Sequence, residues 1–143
     1  MWVVGKITAM STANWLRRLA RKNNVVVLDD PEAVSATLQI AARLLANGWT
    51  QGVRHQRVGD TMRYDILGAL DAAVGKSAAK DDTRAWWGAH RLISRAIPSG
   101  FGGDVSAYND DPARTQGQVV ELIRGVARSH GTVLQAQKKV TPA

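Results

Sequence analysis

The stretch that decides the fold class is DPEAVSATLQIAARLLANG, residues 30–48. Asp30 is a good N-cap, the proline after it suits the first helical position, and the acid that follows favours the helix dipole. Apolar residues then recur at helical spacing and form one apolar face: Val34, Leu38, Ala41, Ala42 and Leu45. Asparagine and glycine at 47–48 end the pattern. We therefore predict an amphipathic helix over residues 31–46.

Other segments of the chain carry the same periodicity. They predict helices over 61–74, 82–97 and 115–129, and a basic first helix over 11–22. Short extended segments, a strand or a hairpin, are predicted near 25–28 and 52–58. The fold class is therefore mainly α, a compact bundle of about five helices. We expect a flexible or alternative-start segment over 1–10, a single helical domain over 11–130 and a basic tail over 131–143.

The length and composition limit the classes of protein to which this chain can belong. A chain of 143 residues with 45% apolar residues is long enough for one domain with a real core. It has no cysteine, which excludes disulfides, thiolate metal sites and a cysteine nucleophile. A reducing cytosol fits the absence of cysteine, and we expect a cytoplasmic location. No apolar run approaches the ~20 residues that a membrane-spanning helix needs, so we expect no transmembrane segment.

The net charge of +7 is distributed unevenly. Residues 1–24 carry five basic residues and residues 124–143 carry four, and neither segment has an acid. The stretch between them has ten basic and twelve acidic residues. This layout indicates a near-neutral body with basic ends.

A polar cluster precedes the last predicted helix, in VSAYNDDPARTQGQVVELI, residues 105–123. It is either a chemical site or a boundary between two elements. We interpret Asn109, Asp110 and Asp111 as turn residues that form local hydrogen bonds, and Thr115 as the cap of the next helix. Together with Asp104 the cluster offers oxygen ligands for calcium or magnesium, but it lacks the spacing of a calcium-binding loop. We therefore predict no metal site.

Neither a catalytic site nor a cofactor is predicted. His90, Asp65 and Asn109 could form a histidine–carboxylate constellation only if the fold brought them within hydrogen-bonding distance, which their spacing does not require. The glycine-rich loop PSGFGGD at 98–104 follows a helix and lacks the Gly-Lys-Ser/Thr ending of a phosphate-binding loop. We expect that the protein is not an enzyme.

Two features are candidate partner-binding sites. Trp86 and Trp87 point about 100° apart on a helix, so one can enter the core while the other reaches the surface, or both can pack into the core. A surface tryptophan is a good anchor for a partner, and Trp87 is the candidate. The basic first helix combines an apolar stripe with four cations, a pattern that suits an acidic protein groove, nucleic acid or an anionic membrane surface. Its candidate binding residues are Trp15, Arg17, Arg18, Arg21 and Lys22. The alternative is a solvated helix that packs on the body through Trp15 and Leu19.

Three short motifs occur in an order that resembles a known family. They are Gly48-Trp49-Thr50-Gln51-Gly52, then Tyr64-Asp65-Ile66-Leu67-Gly68-Ala69-Leu70, then Tyr108-Asn109-Asp110 with Thr115 before an apolar helix. The chain is similar, over about residues 33–128, to a family of small uncharacterised actinobacterial and phage proteins that contain a domain of unknown function. The resemblance implies a phage or prophage gene and no particular activity.

We therefore expect a non-enzymatic binding or accessory protein, phage- or prophage-encoded, that acts on a bacterial host protein or on its own copies. One alternative is a nucleic-acid-associated protein without sequence specificity that uses its basic termini. A second alternative is a small enzyme with an unrecognised site. Salt dependence of binding separates the first two, and a deep pocket containing Asp65, His90 or Asn109 would indicate the third.

Overall fold

The computed structural model describes residues 30–76 and 83–140. In chain order the elements are α1 (Pro31–Asn47), β1 (His55–Val58), β2 (Thr61–Tyr64), α2 (Ile66–Lys76), α3 (Thr83–Ala96), a 3₁₀ helix (Ser99–Phe101), α4 (Val105–Asp110) and α5 (Gln116–Val140). The predicted fold class, mainly α with a short hairpin, is confirmed in the described residues. The segments predicted at 1–10, 11–22 and 25–28 lie outside the described residues.

Helix α1 packs against α2, α3, α5 and strand β2. Its buried face carries the five apolar residues predicted for it, together with Thr37. The Thr37 hydroxyl stays hydrogen-bonded in the interior because it donates to the carbonyl of Ala33, one turn back, at 2.9 Å. The burial of an apolar side chain such as Leu38, which is wholly inaccessible to solvent, stabilises the fold by about 1.5–3 kcal/mol.

A single hydrophobic cluster joins all five α-helices of the described chain. Its largest fully buried apolar side chains are Val34, Leu38 and Leu45 on α1, Ile66 and Leu70 on α2, Ile93 on α3, Val105 on α4, and Val119 and Ile123 on α5. Because α4 contributes Val105 and Tyr108, the loop region between α3 and α5 is anchored to the core. This anchoring fixes the position of the polar residues that follow Tyr108.

The prediction that a helix begins at Thr61 is wrong, because residues 61–64 form strand β2. Strand β2 pairs antiparallel with β1 through a two-residue turn, with Val58 opposite Thr61 and His55 opposite Tyr64. Gly59 permits this turn because its φ of 61° lies in the left-handed region. The backbone of Tyr64 is also occupied, since its N–H donates to the carbonyl of Gly48 and its carbonyl accepts from Thr50. Tyr64 therefore cannot join the helix that follows.

The chain between α3 and the end of α5 has more helix than predicted. Helix α4 is not predicted from the sequence, and Asp104 is its N-cap, since the Asp104 carboxylate accepts a hydrogen bond from the Ala107 N–H at 3.0 Å. Helix α5 was expected to end near residue 129 but continues to Val140. Its last turns extend along the start of α1, where Lys138 pairs with Glu32 at 3.2 Å. Basic residues in the last turn also favour the negative end of the helix dipole.

Candidate functional site

Asn109 connects three separate segments of the chain. It lies near the end of α4, is 1% exposed, and uses every hydrogen-bonding position of its side-chain amide. Its Oδ1 accepts from Trp49 Nε1 at 2.9 Å and from the Ile66 N–H at 3.1 Å. Its Nδ2 donates to the Thr50 carbonyl at 3.1 Å and to Asp110 Oδ1 at 2.9 Å. We expected local turn hydrogen bonds here, but three of these four bonds join residues that are 43 to 60 positions apart.

Residues near Asn109 and Trp49 form further hydrogen bonds between segment 49–52 and the end of α4. Asp110 Oδ1 also accepts from the Gly52 N–H at 3.0 Å. Gln51 Nε2 donates to the carbonyls of Asn109 and Asp111, at 3.0 and 2.9 Å. The three motifs that carry the family resemblance, which are distant in sequence, therefore form one hydrogen-bonded unit. We call this unit the Asn109 network.

Asp65 caps helix α2 within this unit. Its Oδ1 accepts from the N–H of Gly68 at 2.6 Å, and its own N–H donates to the Arg54 carbonyl. Burial raises the pKa of Asp65 above its ordinary value of 3.8, while the Gly68 hydrogen bond and the charge of Arg54 act in the opposite direction. A Cβ on Gly68 would lie 1.8 Å from the Arg54 carbonyl oxygen, so only glycine fits there.

The residues after Asn109 serve the start of helix α5. Asp111 Oδ1 accepts from the Ala113 N–H at 2.9 Å, which is a local turn bond. Thr115 and Gln118 form a reciprocal capping box, in which each side chain accepts from the other residue's N–H, at 3.2 and 3.0 Å. The guanidinium of Arg114 lies over the Tyr108 ring, 3.6 Å from its centroid. Each of these side chains holds backbone or a ring in place.

The carboxylates of the polar cluster accept hydrogen bonds from separate backbone N–H groups in the described residues. No group of three histidine, aspartate or glutamate side chains there comes together in a way that could hold a metal ion. Asp104, Asp110 and Asp111 each accept a backbone N–H. Their geometry serves helix starts and loop contacts.

Trp86, Trp87 and His90 on helix α3 form a second cluster, which we call the aromatic corner. The rings of Trp86 and His90 stack with centroids 5.2 Å apart, and Trp87 meets Trp86 edge-on at 4.8 Å. Trp87 is 57% exposed, the largest exposed fraction among the exposed large hydrophobic residues of the described chain. The corner thus presents one open tryptophan face that its neighbours hold in a defined orientation.

Asp71 and Arg54 form the polar edge of the aromatic corner. The carboxylate of Asp71 accepts from Trp86 Nε1 at 2.8 Å and from Arg54 Nη1 at 2.8 Å. These residues, with Val74, Thr83 and Trp87, line an open cavity of about 390 Å³. Sequence reasoning did not identify Asp71 or Arg54, because Asp71 lies on α2 and Arg54 lies in the loop before β1, 17 positions away. The sequence left open whether one or both tryptophans enter the core, and in the structure Trp87 is exposed.

His90 belongs to the aromatic corner, and no hydrogen bond of the described residues joins it to Asp65 or Asn109. Burial lowers the pKa of His90 below its ordinary value of 6.5, and the charge of Arg91 adds to this effect. A neutral imidazole is therefore favoured near neutral pH, stacked on Trp86. The other residues predicted to bind partners, Trp15, Arg17, Arg18, Arg21 and Lys22, lie outside the described residues.

Comparison with known families matches residues 29–129 to one family, described as a family of unknown function (DUF6197). Among curated proteins and among solved structures, nothing matches the chain significantly. The match covers the Asn109 network, the aromatic corner and most of the core, and it names no activity. In the described part of the chain, every helix is too short or too polar to cross a membrane.

Proposed function

Since this chain belongs to DUF6197, a family whose function is unknown, we propose from its surface chemistry that it is a non-enzymatic binding protein. Its aromatic corner anchors a partner protein. The observation that carries this proposal is the open Trp87 ring, 57% exposed, beside Trp86 and His90. Tryptophan is among the residues that contribute most to protein interfaces when a partner covers them.

The corner also suits a protein partner because it is already ordered before binding. Contacts with the two neighbouring rings restrict Trp87, so less side-chain entropy is lost when a partner packs on it. The Arg54–Asp71 ion pair supplies donors and acceptors next to the apolar ring, and both side chains are about half exposed. A partner thus meets an apolar centre with a polar rim, the usual arrangement of a binding surface.

The resemblance to phage and actinobacterial proteins supports a narrower proposal about the partner. In that setting the protein acts in the host cytoplasm on a bacterial host protein, or it binds a second copy of itself. Trp87 would contact the partner in both cases. Self-association of the isolated protein is expected only if the partner is a second copy.

The test begins with affinity purification and mass spectrometry, which identify a host partner. Sedimentation of the isolated protein shows whether it binds a second copy of itself. The dissociation constant is then measured for wild type, Trp87→Ala and a matched control, Val133→Ala. Val133 is 53% exposed and lies on α5, outside the cavity that Trp87 lines. Trp87→Ala should weaken binding by about 30-fold or more, the effect of an interface hot spot, and Val133→Ala by much less.

Both variants should retain the wild-type circular dichroism spectrum, because neither side chain belongs to the core. An unchanged dissociation constant for Trp87→Ala, with every identified partner, would contradict the proposal.

A further inference from the structure

A groove between helices α1 and α5 is lined by charged residues of one sign only. These residues are Arg43 on α1 and Arg124 and Arg128 on α5, and we call the feature the arginine groove. It encloses about 500 Å³ in the described structure, and three small residues, Ala42, Ala127 and Gly131, form much of its lining. The sequence suggested that the excess charge lies in terminal segments, but α5 places Arg124 and Arg128 on the folded body.

Protein groups of the described chain neutralise little of this charge. Arg43 and Arg124 form no ion pair with any described residue. Arg128 Nη2 lies 3.9 Å from Glu121 Oε2, but both side chains are about two-thirds exposed, so water screens this pair strongly. Three guanidinium groups therefore face solvent around one groove, an arrangement that favours an anionic ligand.

Contacts at both ends of the groove hold its walls in place. Near the end of α1, Gln116 Nε2 donates to the Leu45 carbonyl at 2.9 Å. At the other end, His130 Nε2 lies 2.8 Å from the Pro31 carbonyl oxygen. The two helices thus run antiparallel side by side, and the arginines project from a rigid scaffold.

We propose that the arginine groove binds the phosphodiester backbone of a duplex nucleic acid. A guanidinium donates two parallel hydrogen bonds to one phosphate, which lysine cannot do, and all three cations here are arginines. Arg124 and Arg128 are one helical turn apart, about 6 Å along the axis, close to the rise of two nucleotides along a B-form strand. The small lining residues leave room for a sugar–phosphate chain between the walls.

The lining also indicates which nucleic acid binds and how it is recognised. It contains no aromatic residue on which unpaired bases could stack, so a duplex is favoured over a single strand. It also has no large apolar side chain that could insert into a lipid surface. Phosphate contacts alone carry no sequence information, so this binding is independent of sequence.

The test measures binding of the full chain to a fluorescein-labelled duplex DNA of about 20 base pairs by anisotropy, over a range of salt concentrations. Wild type is compared with Arg43→Gln/Arg124→Gln/Arg128→Gln. The matched control is Arg57→Gln/Arg63→Gln/Arg95→Gln, which removes the same charge from exposed arginines outside the groove.

In the groove variant, the slope of log affinity against log salt should become less negative by about 0.9 for each phosphate contact removed, and by about 2.7 for three contacts. Between roughly 50 and 200 mM salt, the affinity of the groove variant should therefore fall about 40-fold less than the affinity of wild type. The control should change the slope by less than about 0.9. These outcomes support the proposal.

Three outcomes would overturn it. The first is that wild type fails to bind the duplex at about 50 mM salt. The second is an equal effect of both triple variants, which would show that net charge or the chain ends account for binding. The third is a groove variant that keeps its affinity for DNA but loses binding to polyglutamate or to phosphatidylserine vesicles, which would assign the groove to a protein or a membrane.

Discussion

Replacement of Asn109 tests whether the network around it holds the fold together. Asn109→Ala removes four hydrogen bonds and leaves two donors, Trp49 Nε1 and the Ile66 N–H, without their acceptor. An unsatisfied buried donor costs about 1–3 kcal/mol, so the buried Ile66 N–H costs that much, and the indole N–H of the half-buried Trp49 adds a smaller cost. The other former partners, the Thr50 carbonyl and the Asp110 carboxylate, are less buried and regain water at a smaller cost.

This loss is a large part of the 5–15 kcal/mol that stabilises a typical domain. The measurement is urea unfolding, followed by circular dichroism, with the free energy of unfolding obtained by linear extrapolation. The matched control is Gln51→Ala, which removes two hydrogen bonds of an exposed side chain in the same unit. Because water replaces those bonds, the control should cost only about 1 kcal/mol.

A second substitution, Asn109→Asp, keeps the shape of the side chain and removes its donors. The new oxygen would face the Thr50 carbonyl and Asp110 Oδ1, which accept from Nδ2 at 3.1 and 2.9 Å in wild type. This variant should be destabilised at neutral pH and recover partly in acid, since protonation restores one donor. A loss below about 1 kcal/mol for Asn109→Ala would refute the reasoning, because the buried Ile66 N–H cannot lose its acceptor at so small a cost.

Two further predictions concern the start of helix α2. Gly68→Ala should destabilise the protein although alanine is the better helix former by about 1 kcal/mol, because the new Cβ would lie 1.8 Å from the Arg54 carbonyl oxygen. Gly75→Ala in the same helix meets no atom within 4 Å, so it should be neutral or stabilising by up to about 1 kcal/mol in urea unfolding, and stabilisation by both changes would contradict the close approach. Burial raises the folded-state pKa of Asp65, so the folded protein binds this proton more tightly than the unfolded chain, and wild type should gain stability relative to Asp65→Asn as pH falls from neutral towards about 4. Urea unfolding of both proteins across this pH range measures the difference in their free energies of unfolding. If wild type instead loses stability relative to Asp65→Asn as the pH falls, the Gly68 hydrogen bond and Arg54 outweigh burial.

The sequence by itself determined the helices whose signals lie within a few neighbouring residues. Helix α1 begins at Pro31 because a cap, a proline and an acid occur together, and its apolar spacing identified the face that enters the core. Trp87 falls off the apolar face of α3, which allowed an exposed position, but this spacing alone left open whether both tryptophans pack into the core. The start and the buried face of α1 could be predicted because each depends on interactions within one or two helical turns.

The tertiary structure decided the conformation and the contacts of residues whose partners lie far away in the sequence. Residues 61–64 have helical apolar spacing, but pairing with β1 and the bonds of Tyr64 to Gly48 and Thr50 make them a strand. The polar cluster at 109–111 looks like a turn in sequence, and packing buries Asn109 against residues more than 40 positions away. The same holds for the Arg54–Asp71 pair and for Arg43 opposite Arg124. Only the packing of separate elements brings such side chains together, because residues that are far apart in sequence carry no local signal of which partner each will meet.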